Sequence, residues 1–164
     1  MALPLITKTK EAFRAFTSQL DAAALTGYSH YRGIRAGLMQ LPSVSITVAS
    51  LAPDSEVPEE TLLRGEVGIV IRTRCTFTSA HQSSTAEDAH DAAVDAILTR
   101  LTASAIREFV NAENVTDRPA DLADGFHLDL FPQPRIESYY DMGEQQFVTA
   151  LTYMVGVMAT DADA

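Results

Sequence analysis

Cysteine occurs once in the 164 residues, at Cys75, and tryptophan not at all. A single thiol excludes a disulfide within one chain and a cysteine-based metal cluster. Lysine and arginine are scarce, 12 against 22 Asp and Glu, which leaves a net charge of -10. A body that acidic is unsuited to sequence-nonspecific nucleic-acid binding, which depends on cations neutralising phosphates. The uncharged run Phe147 to Ala159 is thirteen residues with two threonines, against the about 18 apolar residues expected of a spanning helix. No membrane span is expected. Met1 to Ile6 is too short an apolar run for a secretory leader, and Lys8, Lys10 and Arg14 follow it instead of preceding it, so synthesis inside the cell is the expectation. Walker loops, G-x-G-x-x-G turns, zinc-ligand spacings and a G-x-S-x-G nucleophile turn are missing too.

What is present suits one globular domain spanning residues 1–164: 46% of the chain is hydrophobic and 21% charged, enough for a real core. The charge is uneven. Residues 1–40 carry five Lys and Arg against two acids, whereas 41–164 carry seven against twenty. The basic first quarter suits docking on an acidic surface, and another copy of the same chain offers one. The plainer alternative is a solvated exterior that keeps the chain soluble.

Apolar spacing predicts a helix over residues 7–24, with Ala12, Phe13, Phe16 and Leu20 on its buried stripe and Gly27 as its stop. GYSHYRGIRAG, with two tyrosines, a histidine and two arginines between glycines, reads as a loop; aromatics with Arg also compose interface cores. Strict alternation of Val44, Ile46 and Val48 with Ser43, Ser45 and Thr47 predicts a half-buried strand over 43–49. APDSEVPEE reads as a loop. A longer strand follows over 65–78, with Val67, Ile69, Ile71, Cys75 and Phe77 inward and Glu66, Arg72, Arg74, Thr76 and Thr78 outward, which makes Cys75 a core filler. After SAHQSS, Ser84 and Glu87 form a capping box ahead of a helix whose stripe is Ala86, Ala93, Val94, Ile97, Leu98, Leu101 and Ala105. IREFVNAEN continues that helix or restarts it.

TDRPADLADG breaks the helix, Phe126, Leu128 and Leu130 alternate as a short strand ended by Pro132 and Pro134, and ESYYDMGEQ leads into a last strand. That strand carries Phe147, Leu151, Tyr153, Val155 and Val157 on one face and Val148, Ala150, Met154 and Met158 on the other. Both faces are apolar, which predicts cover on both sides. Its extended length of about 43 Å exceeds what a chain this size easily spans, so it bends or is buried in part by another molecule. The order α-β-β-α-β-β predicts an α+β fold, a mainly antiparallel sheet with helices packed on one face.

No catalytic constellation emerges. Glu87-x-x-His90 with Asp91 is one half of a carboxylate di-metal pattern, which needs a second such motif that the chain lacks. The acids at 87, 88 and 91 instead suit the positive end of a helix, with His90 at the edge of its stripe. His81 has no placed nucleophile or orienting acid. The expectation is no enzyme, no metal and no cofactor.

Taken together, a leading helix, the strand SVSITVAS, the strand GEVGIVIRTRCTF running into the helix EDAHDAAVDAILTRL, and the last strand FVTALTYMVGVMA resemble the tail terminator (tail completion) proteins of long-tailed bacteriophages. The likeness spans most of the chain and departs from the family by extra length in 112–142. It implies a virion protein of the tail and neck region, made in the host cytoplasm. A homo-oligomeric, hexameric ring would cap the tail tube protein, halt its polymerisation and face the head-tail connector protein. DNA would pass through the lumen without specific binding, repelled by copies that each carry -10. A closed ring needs two different, complementary patches per subunit. Tyr28, Tyr31, Arg32 and Arg35 are the candidate basic patch; the strand at 65–78, with Arg72 and Arg74, or the one at 147–159, with Tyr153, is the candidate partner. Two other readings compete: a head-tail joining or neck connector protein, since folds are shared across these roles, and a small-molecule-binding α+β domain with His127, His81 and Glu87 as its polar groups.

Overall fold

The structure is a computed structural model, and it describes residues 5–33, 40–53, 62–75, 80–111, 126–131 and 133–159. Among these residues it is an α+β fold of three α-helices and a six-stranded, mainly antiparallel sheet. Helix α1 spans Leu5–Ser18 and a 3-10 turn spans Ala23–Leu25. Strands β1 (Ser29–Arg32), β2 (Ser43–Pro53) and β3 (Leu62–Arg74) follow. Helices α2 (Ala80–Arg100) and α3 (Ala103–Asn111) come next. Strands β4 (Phe126–Leu130), β5 (Arg135–Asp141) and β6 (Gln146–Ala159) close the order. Among the described residues, no helix is long and apolar enough to cross a membrane.

The last strand organises the sheet. One edge of β6 pairs antiparallel with β3 from Leu62 opposite Met158 to Arg74 opposite Gln146. Its other edge is shared by β4 and β5, also antiparallel. Leu130 lies opposite Val155 and Arg135 opposite Thr152, so the chain takes five steps where β6 takes three. Pro134 falls in that excess, where a missing N–H costs no ladder bond. Beyond β3, β2 pairs antiparallel and β1 adds to β2 in parallel, giving the path β1-β2-β3-β6.

All three helices contribute to one core against one sheet face. Phe13 and Phe16 of α1, Val94 and Ile97 of α2, and Ile106 and Val110 of α3 meet Ile46, Ile69, Leu151, Tyr153 and Val157. The rings of Phe16 and Phe109 meet edge to face at 5.6 Å, a favoured aromatic geometry. Thr102 separates α2 from α3 and caps the latter, its Oγ1 accepting from the Ala105 N–H at 3.1 Å. The second half of the helical region therefore restarts as a separate helix.

Several expectations change. Helix α1 ends at Ser18, not near residue 24, and the stretch read as a loop supplies β1, an edge strand too short to show a period. Strand β2 runs on to Pro53, opposite Leu63. Ser43 and Ser45 are buried with Val44 and Ile46, so this strand is not half-exposed. Strand β3 ends at Arg74, and Thr76, Phe77 and Thr78 lie outside the described residues, as do the acidic stretch 54–60 and residues 112–125. Helix α2 begins at Ala80, which puts Ser84 and Glu87 inside it rather than at a capping box. ESYYD is strand β5, with exposed side chains over most of its length. On the sheet face opposite the helices, Val148 is buried but Met154 is 48% exposed, so cover of β6 on that face is incomplete.

Strand β2 carries a bulge between Val48 and Ser50, where the register against β3 shifts. The backbone of Ser50 is thereby pressed onto Gly65: a Cβ there would sit 1.7 Å from the Ser50 carbonyl oxygen. Only glycine fits without moving backbone. Gly65→Ala should lower unfolding free energy by about 2 kcal/mol or more, measured by denaturant titration. An unchanged midpoint would mean that the bulge relaxes freely.

Candidate functional site

Two features of the fold hold polar chemistry: a buried hydrogen-bonded chain centred on His90, and the side chains displayed at the two sheet edges.

His90 is 2% exposed and belongs to the inward stripe of α2 rather than to its edge. Its Nδ1 meets Thr73 Oγ1 of β3 and its Nε2 meets Thr149 Oγ1 of β6, each at 2.8 Å. Thr73 Oγ1 is 3.2 Å from the Tyr28 hydroxyl, and Thr149 Oγ1 is 2.8 Å from Ser138 Oγ of β5. Every hydroxyl in Tyr28-Thr73-His90-Thr149-Ser138 can donate once and accept once, so a neutral imidazole completes the chain in either direction. The chain ties α2 to three strands through one side chain. Burial pushes the His90 imidazole below its ordinary value, opposed in part by neighbouring Asp91.

Beside it, a depression of about 180 Å³ is lined by Glu87, Asp91, Tyr140, Phe147 and the edge of His90. That is small beside the roughly 300–1,000 Å³ of drug-sized ligand sites. Both ring nitrogens of His90 are engaged by threonines, so neither is presented to the depression. Among the described residues, no group of three or more His, Cys, Asp and Glu side chains is placed to hold a metal ion. The acids at 87, 88 and 91 lie beyond the first turn of α2, which contains no acid, and so do not serve its positive end. Of the polar groups expected in a ligand pocket, Glu87 is exposed, while the side chains of His81 and His127 lie outside the described residues. Cys75 is 4% exposed, and burial, then Glu87, pushes its thiol up: a core filler, as its strand position implied.

The candidate interface residues fall in separate places. Tyr28 reaches inward to Thr73, as above. Tyr31 and Arg32 sit on opposite faces of β1: the Tyr31 hydroxyl accepts from the Gln40 N–H at 2.9 Å, and Arg32 approaches Glu11 of α1 at 3.6 Å. Glu11 also pairs with Arg14, and Lys10 Nζ lies close to Gly33. The result is two arginines sharing one carboxylate where α1 crosses β1, with Lys10 near the end of the strand. Burial, then Arg14, holds the imidazole of His30 below its ordinary value. Arg72 lies on the face opposite the helices and donates to Ser45 Oγ at 3.0 Å. Arg74 is exposed where β3 ends. Arg35 lies outside the described residues. Tyr153 is 1% exposed in the core of its own chain, so it offers no surface to a neighbour.

Sequence reasoning missed the far edge of the sheet. Phe131 is 47% exposed, Ile136 51%, Tyr139 57% and Met142 81%; the first follows β4, and the others lie on β5 or in its turn. The signal for Tyr139 and Met142 was present in ESYYDMGEQ as aromatic and β-compatible residues, but without alternation; Ile136 directly precedes that stretch and Phe131 lies five residues earlier still.

No family model matches the sequence, and no curated protein matches it. Among solved structures, a chain from the virion of a native gene transfer agent particle is similar, at 18% identity and a TM-score of 0.47, over 90% of this chain and 94% of that one.

Two outcomes follow from the buried groups. Because folding depresses the His90 pKa, the unfolded chain takes up a proton near pH 6.5 that the folded chain refuses. Stability is then complete above pH 6.5 and declines as pH falls below it, by at most about 1.4 kcal/mol per pH unit for one such group. Imidazole NMR titration should place His90 below 6.5; a value at or above 6.5 contradicts the burial argument. The Tyr153 hydroxyl is buried with no hydrogen-bond partner among the described residues, and burial pushes its pKa up to about 12. Tyr153→Phe should therefore raise stability, by about 1 kcal/mol, and a loss measured by thermal melting would show that the hydroxyl is satisfied.

Proposed function

We propose that this chain is a structural subunit of a phage-like virion, one that assembles into a ring capping the tail tube, ends the polymerisation of the tube and joins it to the head connector. The observation that carries the reading is the group of large apolar side chains left uncovered near one sheet edge: Phe131, Ile136, Tyr139 and Met142. Large apolar side chains exposed on both faces of an edge strand suit association with another molecule. The stretches that resemble tail terminators supply β2, β3, α2 and β6, the frame that holds that edge in place. Six copies per ring is the number that the resemblance implies.

The role is structural rather than enzymatic in this reading. The most elaborate polar arrangement in the described residues is spent on holding α2 to the sheet, and its histidine is fully engaged.

In vitro growth of tail tubes gives the test. Added to polymerising tube protein, the chain should shorten the tubes and be found at one end of each by electron microscopy. Tubes of unchanged length, with the chain instead binding DNA-filled heads in the absence of tails, would favour the head-tail joining role and overturn the capping one. Reversing the basic patch, Arg32→Glu with Arg35→Glu, should reduce ring formation; assembly at the unmodified level would remove that patch from the account.

A further inference from the structure

The sheet ends in two unlike edges. Strand β1 pairs only with β2, and β5 only with β6, among the described residues. Each therefore turns part of its backbone N–H and C=O groups away from the sheet, where they can take another strand. Strand direction is set by the pairings. β1 and β2 run together, β3 runs opposite, β6 runs with β1, and β5 runs against it.

Consider two copies related by rotation about an axis along the strands. The β1 edge of one then meets the β5 edge of the other with helices on the same side, and the two strands are antiparallel. Rows across the sheet match them in height: His30, Val44, Ile71, Thr149 and Ser138 form one row, and Arg32, Ile46, Ile69, Leu151 and Ile136 another.

Charge completes the match. On the helix side of the β1 edge, Arg14 and Arg32 share the single carboxylate of Glu11, and Lys10 Nζ lies near Gly33 at the end of β1. On the helix side of the β5 edge, Glu87 and Asp91 of α2 stand exposed beside Ser138 and Tyr140, with Glu144 in the adjoining turn. The rows that carry these groups coincide: His90, one position from Asp91, bonds to Thr149, in the row of His30. Ile136, 51% exposed, projects on the same side as Arg32 of the opposing edge.

We infer that the occupant of the β5 edge is the β1 edge of a second copy, joined by antiparallel strand pairing and by Lys10, Arg14 and Arg32 facing Glu87 and Asp91. The junction is heterologous, so repetition around an axis closes a ring with one continuous sheet. This deepens the ring reading and rests on it.

Two charge-reversed proteins test the junction. Glu87→Lys with Asp91→Lys makes both edges basic; Lys10→Glu with Arg32→Glu makes both acidic. Each should sediment as a monomer under conditions where the unmodified chain forms rings, with circular dichroism confirming that each is folded. Mixed in equal amounts, the two should recover rings of alternating copies, a recovery that misfolding cannot produce. Ring formation by either variant alone, or no recovery on mixing, overturns the pairing while the ring reading stands. An unmodified chain that stays monomeric even with tail tubes overturns both. Should the basic-edge variant prove unstable, Ile136→Lys supplies a second probe on an exposed side chain and should likewise give monomer; rings at the unmodified level would count against the junction.

Discussion

A strand whose core side reads Leu151, Tyr153, Val155 and Val157 can leave water only if its backbone is hydrogen-bonded along both edges, because an unpaired buried amide costs as much as a lost hydrogen bond. For β6, a strand of 14 residues, that requirement sets the rest of the sheet. Strand β3 satisfies one edge along nearly its whole length. No single strand satisfies the other; β4 and β5 divide it, joined by a proline-bearing excess of two residues. The cost of this solution is that β5 lies at the border of the sheet, with Ile136 and Tyr139 exposed to water.

The same geometry explains how much was legible beforehand. Strands β2 and β3 and helix α2 showed themselves through period, since apolar side chains gather on the face of each that meets the core, even where, as at Ser43 and Ser45 of β2, the other face is buried too. The long apolar β6 was legible as a strand because β-branched residues exclude a helix there less by any one position than by their density. Strands β1 and β5 were not legible: the first is four residues long, and the second has water on most of its side chains, so neither writes alternation into the sequence. His90 was misplaced for a different reason. A histidine in an E-x-x-H-D string looks like half a metal motif or the edge of an apolar stripe, and only the threonines brought up from β3 and β6 make it a core residue. Those partners lie 17 and 59 positions away in sequence, beyond any local pattern.

Candidate site residues divided along similar lines. Charge asymmetry between the first forty residues and the rest was visible as composition, and the fold turns it into position: the cations of α1 and β1 gather at one edge of the sheet, and exposed acids of α2 stand near the other. Tyr153 was assigned to the surface because both faces of its strand were apolar; the fold puts it on the helix side, where it is core. Arg72 was assigned outward correctly, yet it is engaged with Ser45 of its own sheet. In the proposed ring, opposite edges with opposite charge, each short of a strand, let a subunit recognise its own kind head to tail.

The central claim is that copies of this chain assemble edge to edge through opposed charge. Native mass by light scattering, followed as ionic strength rises, addresses it most directly, because charges at such a surface are screened beyond about 10 Å at 0.1 M salt. The account predicts a closed oligomer of defined mass at low salt that dissociates as salt is added, and that tail tubes stabilise. A monomer at every ionic strength, with or without tubes, would contradict it.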